Sequence, residues 1–326
     1  MAHPRVKQKA VRLPDGTAGL MNRLLMKPPS SILTIVAARS AGPLATGDVR
    51  RVRDALAELG GTTGRARWLA LGAACALPVD GLAARAVERA ALDGLAGRAI
   101  DVIAMPAAWQ PPALMVADMD ATIVDAESLD ELALEAGIKD RVAPITESAM
   151  RGEIDFTSAL RARVALLEGL DAAAIPSTLR RLRLMPGART LVRTLKAHGV
   201  RTVLVSGGFS CFVTPMGARA GFDRTVANRL IVSGGKITGT VAEPILDKNA
   251  KRAILQEEAR AMRVPFARTI AIGDGANDIP MLRQAGFGIA YHGKPAAAQA
   301  AKARIRHGDL TVVLFALGIP ANAFKH

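Results

Sequence analysis

Short apolar runs and helix-spaced apolar positions alternate from the start of the patterned part of the chain. Residues 31–38 form a nearly continuous aliphatic and β-branched run and read as a strand. Residues 46–59 repeat apolar side chains at helical spacing, with Thr46 at the N-cap position and Gly60-Gly61 as the stop. Residues 65–77 read as a second strand, 81–95 as a second helix and 99–105 as a closing strand. Together they predict a small α+β unit of three strands and two helices over 31–106. A Pro-rich linker, 107–112, follows.

From Ala113 the pattern becomes strand, helices, strand, helix, strand, which predicts a parallel sheet flanked by helices over 113–326. The run Ala113-Leu114-Met115-Val116-Ala117 leads directly into Asp118-Met119-Asp120-Ala121-Thr122. Residues 201–205 lead into Ser206-Gly207-Gly208, and residues 269–272 into Gly273-Asp274-Gly275-Ala276-Asn277-Asp278. Ligands on such sheets bind outside the carboxyl ends of the strands, which is where these polar clusters fall. A helix-rich insert at about 127–183 separates the first two strands and reads as a cap over that edge. A hairpin is predicted at 230–241, turning through Ser233-Gly234-Gly235.

Composition narrows the classes of function. A chain of 326 residues with 50% hydrophobic and 22% charged residues fits about two globular domains. The net charge of +14 would suit a polyanion, but only 3% of residues are aromatic and the charge forms no dense block beyond residues 1–30, which carry +5. A small acidic substrate is expected rather than nucleic acid. No apolar stretch is long enough to span a bilayer, so no membrane partner is expected. Cys75 and Cys211 lack metal-ligand spacing and fall in different units, which suits a reducing, cytoplasmic setting. Residues 1–30 read as a disordered basic lead-in, with Met21 as an alternative start.

Asp118 and Asp120 lie two apart at a strand end, so their side chains leave on the same side and can reach one substrate atom. Two carboxylates so placed repel, and the pair calls for a metal ion, a phosphoryl group or both. Ser206 and the Gly207 N–H can hold phosphate oxygens, because glycine lets the main chain approach an anion closely. Lys251 adds a compact positive charge, and Asp274 and Asp278 with Asp118 supply hard oxygens and support for Mg2+. This set suits phosphoryl transfer through an aspartyl-phosphate. The histidines fall outside these clusters. Ser206 lacks the setting of a serine-hydrolase nucleophile.

The four segments, in this order, resemble the motifs of the haloacid dehalogenase superfamily, and within it those of the phosphoserine phosphatases. The resemblance covers about residues 113–310. It implies a Rossmann-like core with a helical cap, joined to an N-terminal α+β unit of ferredoxin or ACT-like type. It implies that Asp118 attacks phosphorus, and that Asp120 protonates the leaving oxygen and then takes a proton from water. Asp118, Asp274 and the Asp120 backbone carbonyl would hold Mg2+, with Thr122 and Asp278 supporting the loops and Asn277 on the substrate side. The implied reaction is hydrolysis of O-phospho-L-serine to L-serine and phosphate, the last step of serine biosynthesis.

The segment running from Met150 through Phe156 to Arg163 and Val164 also resembles that family, where matching positions hold the serine moiety. Phe156, Leu160, Arg163 and Leu167 share one helix face, so Arg163 sits within an apolar stripe and needs an anionic partner. A substrate carboxylate or a second cap residue would serve. Glu127 matches the site of the substrate ammonium, or else caps a helix. Phe156 and Met150 line an apolar wall or belong to the ordinary core. Serine sensing, oligomerisation as a homodimer and a structural role all remain open for the N-terminal unit. Two other readings keep part of this picture: a phosphatase or phosphotransferase for another small phosphate ester, and an amino-acid-binding regulator.

Overall fold

In a computed structural model of the protein, residues 30–150, 153–247 and 249–326 are described. The basic lead-in lies outside them, except for Ser30. The N-terminal unit runs β1 (Ser31–Ala37), α1 (Thr46–Glu58), β2 (Thr62–Thr63), β3 (Arg67–Ala70), β4 (Ala74–Asp80), α2 (Ala84–Gly94) and β5 (Ile100–Pro106). The one strand expected over 65–77 is a hairpin instead. Gly72 takes a positive φ of 68°, and Leu71 projects from the tip at 90% exposure, an apolar residue that disguised the turn. The hairpin supplies the strand that the sequence reading lacked. In the antiparallel sheet, β1 lies between β4 and β5, with β3 and the short β2 paired to β4.

Thr46 is the first helical residue of α1 rather than its cap. Ala45 takes the cap position, and its N–H donates to Asp48 Oδ2 at 2.8 Å. α1 and α2 cover one sheet face, where Leu33, Ile35, Leu77 and Val79 meet Val52, Leu56, Val87 and Ala91. The opposite face, with Val36, Ala76, Ile103 and Met105, joins the core of the larger unit.

That unit begins with β6 (Leu114–Ala117), whose four residues are wholly buried. Four helices follow, α3 (Ser128–Glu135), α4 (Lys139–Met150), α5 (Phe156–Ala165) and α6 (Ala174–Arg181), then α7 (Ala188–Ala197) leads back to the sheet. Next come β7 (Arg201–Phe209), α8 (Ser210–Ala220), β8 (Arg224–Asn228) and a hairpin of β9 (Leu230–Ser233) and β10 (Lys236–Val241). Gly234 and Gly235 both have positive φ, 56° and 78°, as a two-residue hairpin turn requires. The chain closes with α9 (Ala250–Ala261), β11 (Thr269–Gly273), α10 (Ile279–Gln284), β12 (Phe287–Tyr291), α11 (Pro295–Ala300), β13 (Ala303–Ile305) and α12 (Thr311–Ala316). The six-stranded sheet runs β13-β12-β11-β6-β7-β8 with every pairing parallel. The first strand of the unit is therefore central, and later strands add on both sides of it. This places the topological switch, and with it the expected ligand crevice, at the carboxyl end of β6. Among the described residues, no helix is long and apolar enough to cross a membrane.

The two units meet where α12 packs on the open face of the N-terminal sheet and β13 lies beside β5. Asp101 on β5 is 3% exposed, and its carboxylate accepts the N–H groups of Arg306 and Gly308, each at 2.7 Å, and that of His307. Replacing it by alanine strips one acceptor from three donors of a largely buried loop. Asp101→Ala is expected to lower the unfolding free energy by about 2–4 kcal/mol in urea titrations, and Asp101→Asn, which keeps one oxygen, by less.

Candidate active site

The end of β6 turns tightly. Met119 is wholly buried and its carbonyl accepts the N–H groups of Ile123 and Val124, while Ala121 adopts a left-handed φ of 51°. With Met119 facing the core, Asp118 and Asp120 both face the crevice. Asp118 Oδ1 accepts the Met119 N–H at 2.8 Å and the Lys251 ammonium at 2.7 Å. Lys251, projecting from the first turn of α9, donates also to Asp278 Oδ1 at 2.6 Å. Asp278 Oδ2 in turn accepts the Asp274 and Gly275 N–H groups at 3.1 and 2.9 Å, which fixes the loop after β11. A Cβ on Gly273 would stand 2.4 Å from the Asp278 carboxyl carbon, so only glycine permits that contact.

Asp274 is 6% exposed, with the Thr122 hydroxyl 3.3 Å from Oδ1 and Lys294 Nζ 3.4 Å from Oδ2. Carboxylate oxygens of Asp118, Asp274 and Asp278 lie within 4.8 Å of one another. Burial, reinforced by Asp278, pushes Asp118 well above the usual carboxylate range, against the pull of Lys251. Burial likewise raises Asp274, against Lys294. Burial alone would lower Lys251, but Asp118 and Asp278 override it and hold the ammonium above the usual lysine range. The acidic cluster thus outweighs its cations. Both contacts of Asp274 are long, which leaves its oxygens able to take a hard cation. Asp118 and Asp274 fit a divalent metal ion on these grounds. Asp278 has both oxygens committed to the loop and Lys251. The carboxylate of Asp120 lies outside the cluster.

Asp120 is engaged elsewhere. Its Oδ1 accepts the Ser128 N–H at 2.8 Å, at the start of α3, and its Oδ2 accepts the Ser206 hydroxyl at 2.9 Å. Ser206 Oγ accepts the Gly208 N–H at 2.8 Å. A bulge in the β7–β8 pairing frees Gly207 and Gly208 from the ladder, and the Asn228 side-chain amide holds the Gly207 carbonyl at 2.8 Å. Phe156 closes over the turn, since a Cβ on Gly207 would meet its ring at 2.5 Å. Phe156, Ser206, Gly207, Lys251 and Asn277 line one pocket.

In the helical insert, Leu160 and Leu167 are buried with Arg163 half-buried between them on the same face. Its Nε donates to the Ala159 carbonyl at 3.3 Å and its Nη1 to Thr146 Oγ1 at 3.4 Å. No carboxylate among the described residues lies within ion-pairing distance of it. Burial lowers its pKa, while Asp130, Glu127 and Asp120 raise it. Glu127 occupies the cap position of α3 without bonding the helix through its side chain. Burial, and after it the charge of Asp120, pushes Glu127 up to about 7. Arg161 points away, pairing with exposed Glu243 at 2.5 Å. The Met150 side chain lies outside the described residues.

Three further polar residues border the site. Ser128 orients Asp120 through its N–H, Asn228 braces the glycine turn, and Lys294 faces Asp274. Asn228 closes a parallel strand, which was the available signal for it.

The chain matches the haloacid dehalogenase-like hydrolase family over residues 115–283, just over half its length. It belongs to that family. It is 45% identical over 212 residues to a phosphoserine phosphatase of Mycobacterium tuberculosis, covering 65% of this chain and 52% of that one. The chain spans about half the length of the first curated relatives it matches. A haloacid dehalogenase family hydrolase from Salmonella enterica serovar Typhi superimposes with a TM-score of 0.75 at 27% identity, over 87% of this chain and 98% of that one. A phosphoserine phosphatase solved as an analogue of its phospho-aspartyl intermediate superimposes with a TM-score of 0.60 at 38% identity, over 63% of this chain and 99% of that one.

Removing the buried ammonium tests the electrostatics of the cluster directly. Lys251→Met is expected to lower stability by about 3–5 kcal/mol at neutral pH, because two buried carboxylates lose their shared cation. Asp118, already held above its ordinary range by burial, then loses the cation that opposes the rise, so the folded state binds more protons and stability rises as pH falls. Urea unfolding from pH 8 to pH 5 should show the deficit shrinking.

Proposed function

We propose that the protein is a Mg2+-dependent phosphoserine phosphatase that hydrolyses O-phospho-L-serine through a phosphoryl group carried on Asp118. The observation that carries this reading is the pairing of Asp118 and Asp120 at one strand end with Arg163 and Glu127 on the insert above. Relatives named for that activity support the same substrate. Asp118 Oδ1 is tied to Lys251 and the Met119 N–H, which leaves Oδ2 as the nucleophilic oxygen. Asp120, oriented by Ser128 and Ser206, hands a proton to the departing serine oxygen and takes one from the incoming water. The Ser206 hydroxyl and the Gly207 N–H hold phosphoryl oxygens, with Asn277 beside them, and Lys251 balances the charge that develops there. Asp118, Asp274 and the Asp120 carbonyl would hold Mg2+, which when bound supplies further charge neutralisation at the phosphoryl oxygens. Thr122 and Asp278 keep the two loops in register.

Arg163, with no carboxylate partner among the described residues, receives the substrate carboxylate, and Glu127 receives the ammonium. Phe156 borders the serine methylene. The insert at 127–183 then acts as the cap that selects the substrate. Apart from the two-residue β2, the N-terminal unit has the β-α-β-β-α-β order of a ferredoxin-like module and is read as ACT-like. The two cysteines are free, which accords with a cytoplasmic setting.

Asp118→Asn should abolish turnover of phosphoserine with Mg2+ present, and retention of wild-type kcat would overturn the assignment. Arg163→Ala should lower kcat/KM for phosphoserine about 10–100-fold, the loss of a charged hydrogen-bonded pair, and leave O-phosphoethanolamine nearly unaffected. Glu127 must be ionised to hold an ammonium. With its pKa near 7, KM for phosphoserine should fall as pH rises from 6 to 8, and Glu127→Gln should flatten that dependence relative to wild type.

A further inference from the structure

A second cleft lies away from the catalytic edge, where the open face of the N-terminal sheet fails to close fully against α12. It has a volume of about 410 Å3 and is lined by Ile32 and Met105 on the sheet, Arg65 and Arg67 on and before β3, Trp109 in the linker and Leu317 after α12. Its size falls in the range of small-molecule sites, and its walls are apolar with two cations at the rim. No acidic residue lines it. Arg67 donates only to the Gly318 carbonyl, at 3.3 Å, and Arg65 has no ion-pair partner among the described residues. The Trp109 ring, packed tilted against Phe287 at 5.8 Å, adds an aromatic wall.

The occupant that satisfies these groups is an anion with an apolar body. Guanidinium groups recognise carboxylate and sulfonate-like oxygens through paired N–H donors, and the apolar walls need a partner that sheds water. Residues 1–29 carry six basic residues and one acidic residue, so their charge does not complement that of the rim. We propose that this cleft is a binding site for a small monoanionic ligand with an aromatic or branched apolar body, held by Arg65 and Arg67. Because both units contribute walls, an occupant bridges them and stabilises their docking. This goes beyond the phosphatase reading and does not depend on it.

The test uses 8-anilinonaphthalene-1-sulfonate as an aromatic anion, with its uncharged analogue N-phenyl-1-naphthylamine as the control, both titrated into the full-length protein. Trp68 packs on the far sheet face against the helices, so Trp109 is the tryptophan that lines the cleft. Saturable binding of the sulfonate with energy transfer from tryptophan is expected. The double variant Arg65→Ala/Arg67→Ala should bind the sulfonate about tenfold or more weakly, and the uncharged analogue equally before and after the substitution. Both arginines are exposed, and an unchanged melting temperature verifies the fold; Arg65→Gln/Arg67→Gln serves if it shifts. Sulfonate binding that survives both double variants, or equal affinity for the uncharged analogue in the native protein, would overturn the proposal.

Discussion

Lys251 sits where three elements meet, its ammonium 2.7 Å from Asp118 and 2.6 Å from Asp278 and almost wholly shielded from water. A buried charge in that position needs both carboxylates, and each carboxylate needs it. Through Asp118 the ammonium fixes the end of β6. Through Asp278 it fixes the loop after β11, because Asp278 also takes the Asp274 and Gly275 N–H groups. The placement of Asp274, and with it the fit for a divalent cation, follows from this one shared charge. The close approach of Asp278 to Gly273 is the steric half of the same constraint.

The parallel sheet supplies the frame in which this can happen. β6 is central and its neighbours β7 and β11 run in the same direction, so Asp118, Ser206 and Asp274 emerge from adjacent strand ends. The sheet fixes the acidic pair and the phosphate-facing turn, while the helical insert brings Glu127 and Arg163 toward them from above. Under the proposed function, chemistry and selectivity fall to different parts of the fold. The first is set by buried, mutually bonded groups, and the second by half-buried charges with open valences.

Much of this was legible in the sequence for physical reasons. Fully buried parallel strands leave near-continuous apolar runs, so β6, β7 and β11 announced themselves and the polar residues after them marked one edge. Arg163 stood out because a charge inside a helical apolar stripe has few explanations. The hairpin tip at Leu71 did not, since an exposed leucine looks like a strand residue and the turn rests on a single glycine. Lys294 and Ser128 were silent as well. A lone lysine after a strand and a backbone N–H that caps a distant carboxylate leave no periodic trace. The division of labour between Asp120 and Asp278 came from the family resemblance and not from the pattern of the residues themselves. Both are acidic loop residues, and only the hydrogen bonds reveal that one faces Ser206 and the other Lys251.

Covalent capture of the phosphoryl group tests the central claim most directly. Rapid acid quenching of the protein mixed with Mg2+ and O-phospho-L-serine labelled in its phosphate, followed by peptide mass analysis, reads which residue carries the label. The account predicts a base-labile acyl-phosphate on Asp118, formed within one turnover and absent from Asp118→Asn. Turnover without any labelled peptide, or label on another residue, would contradict it.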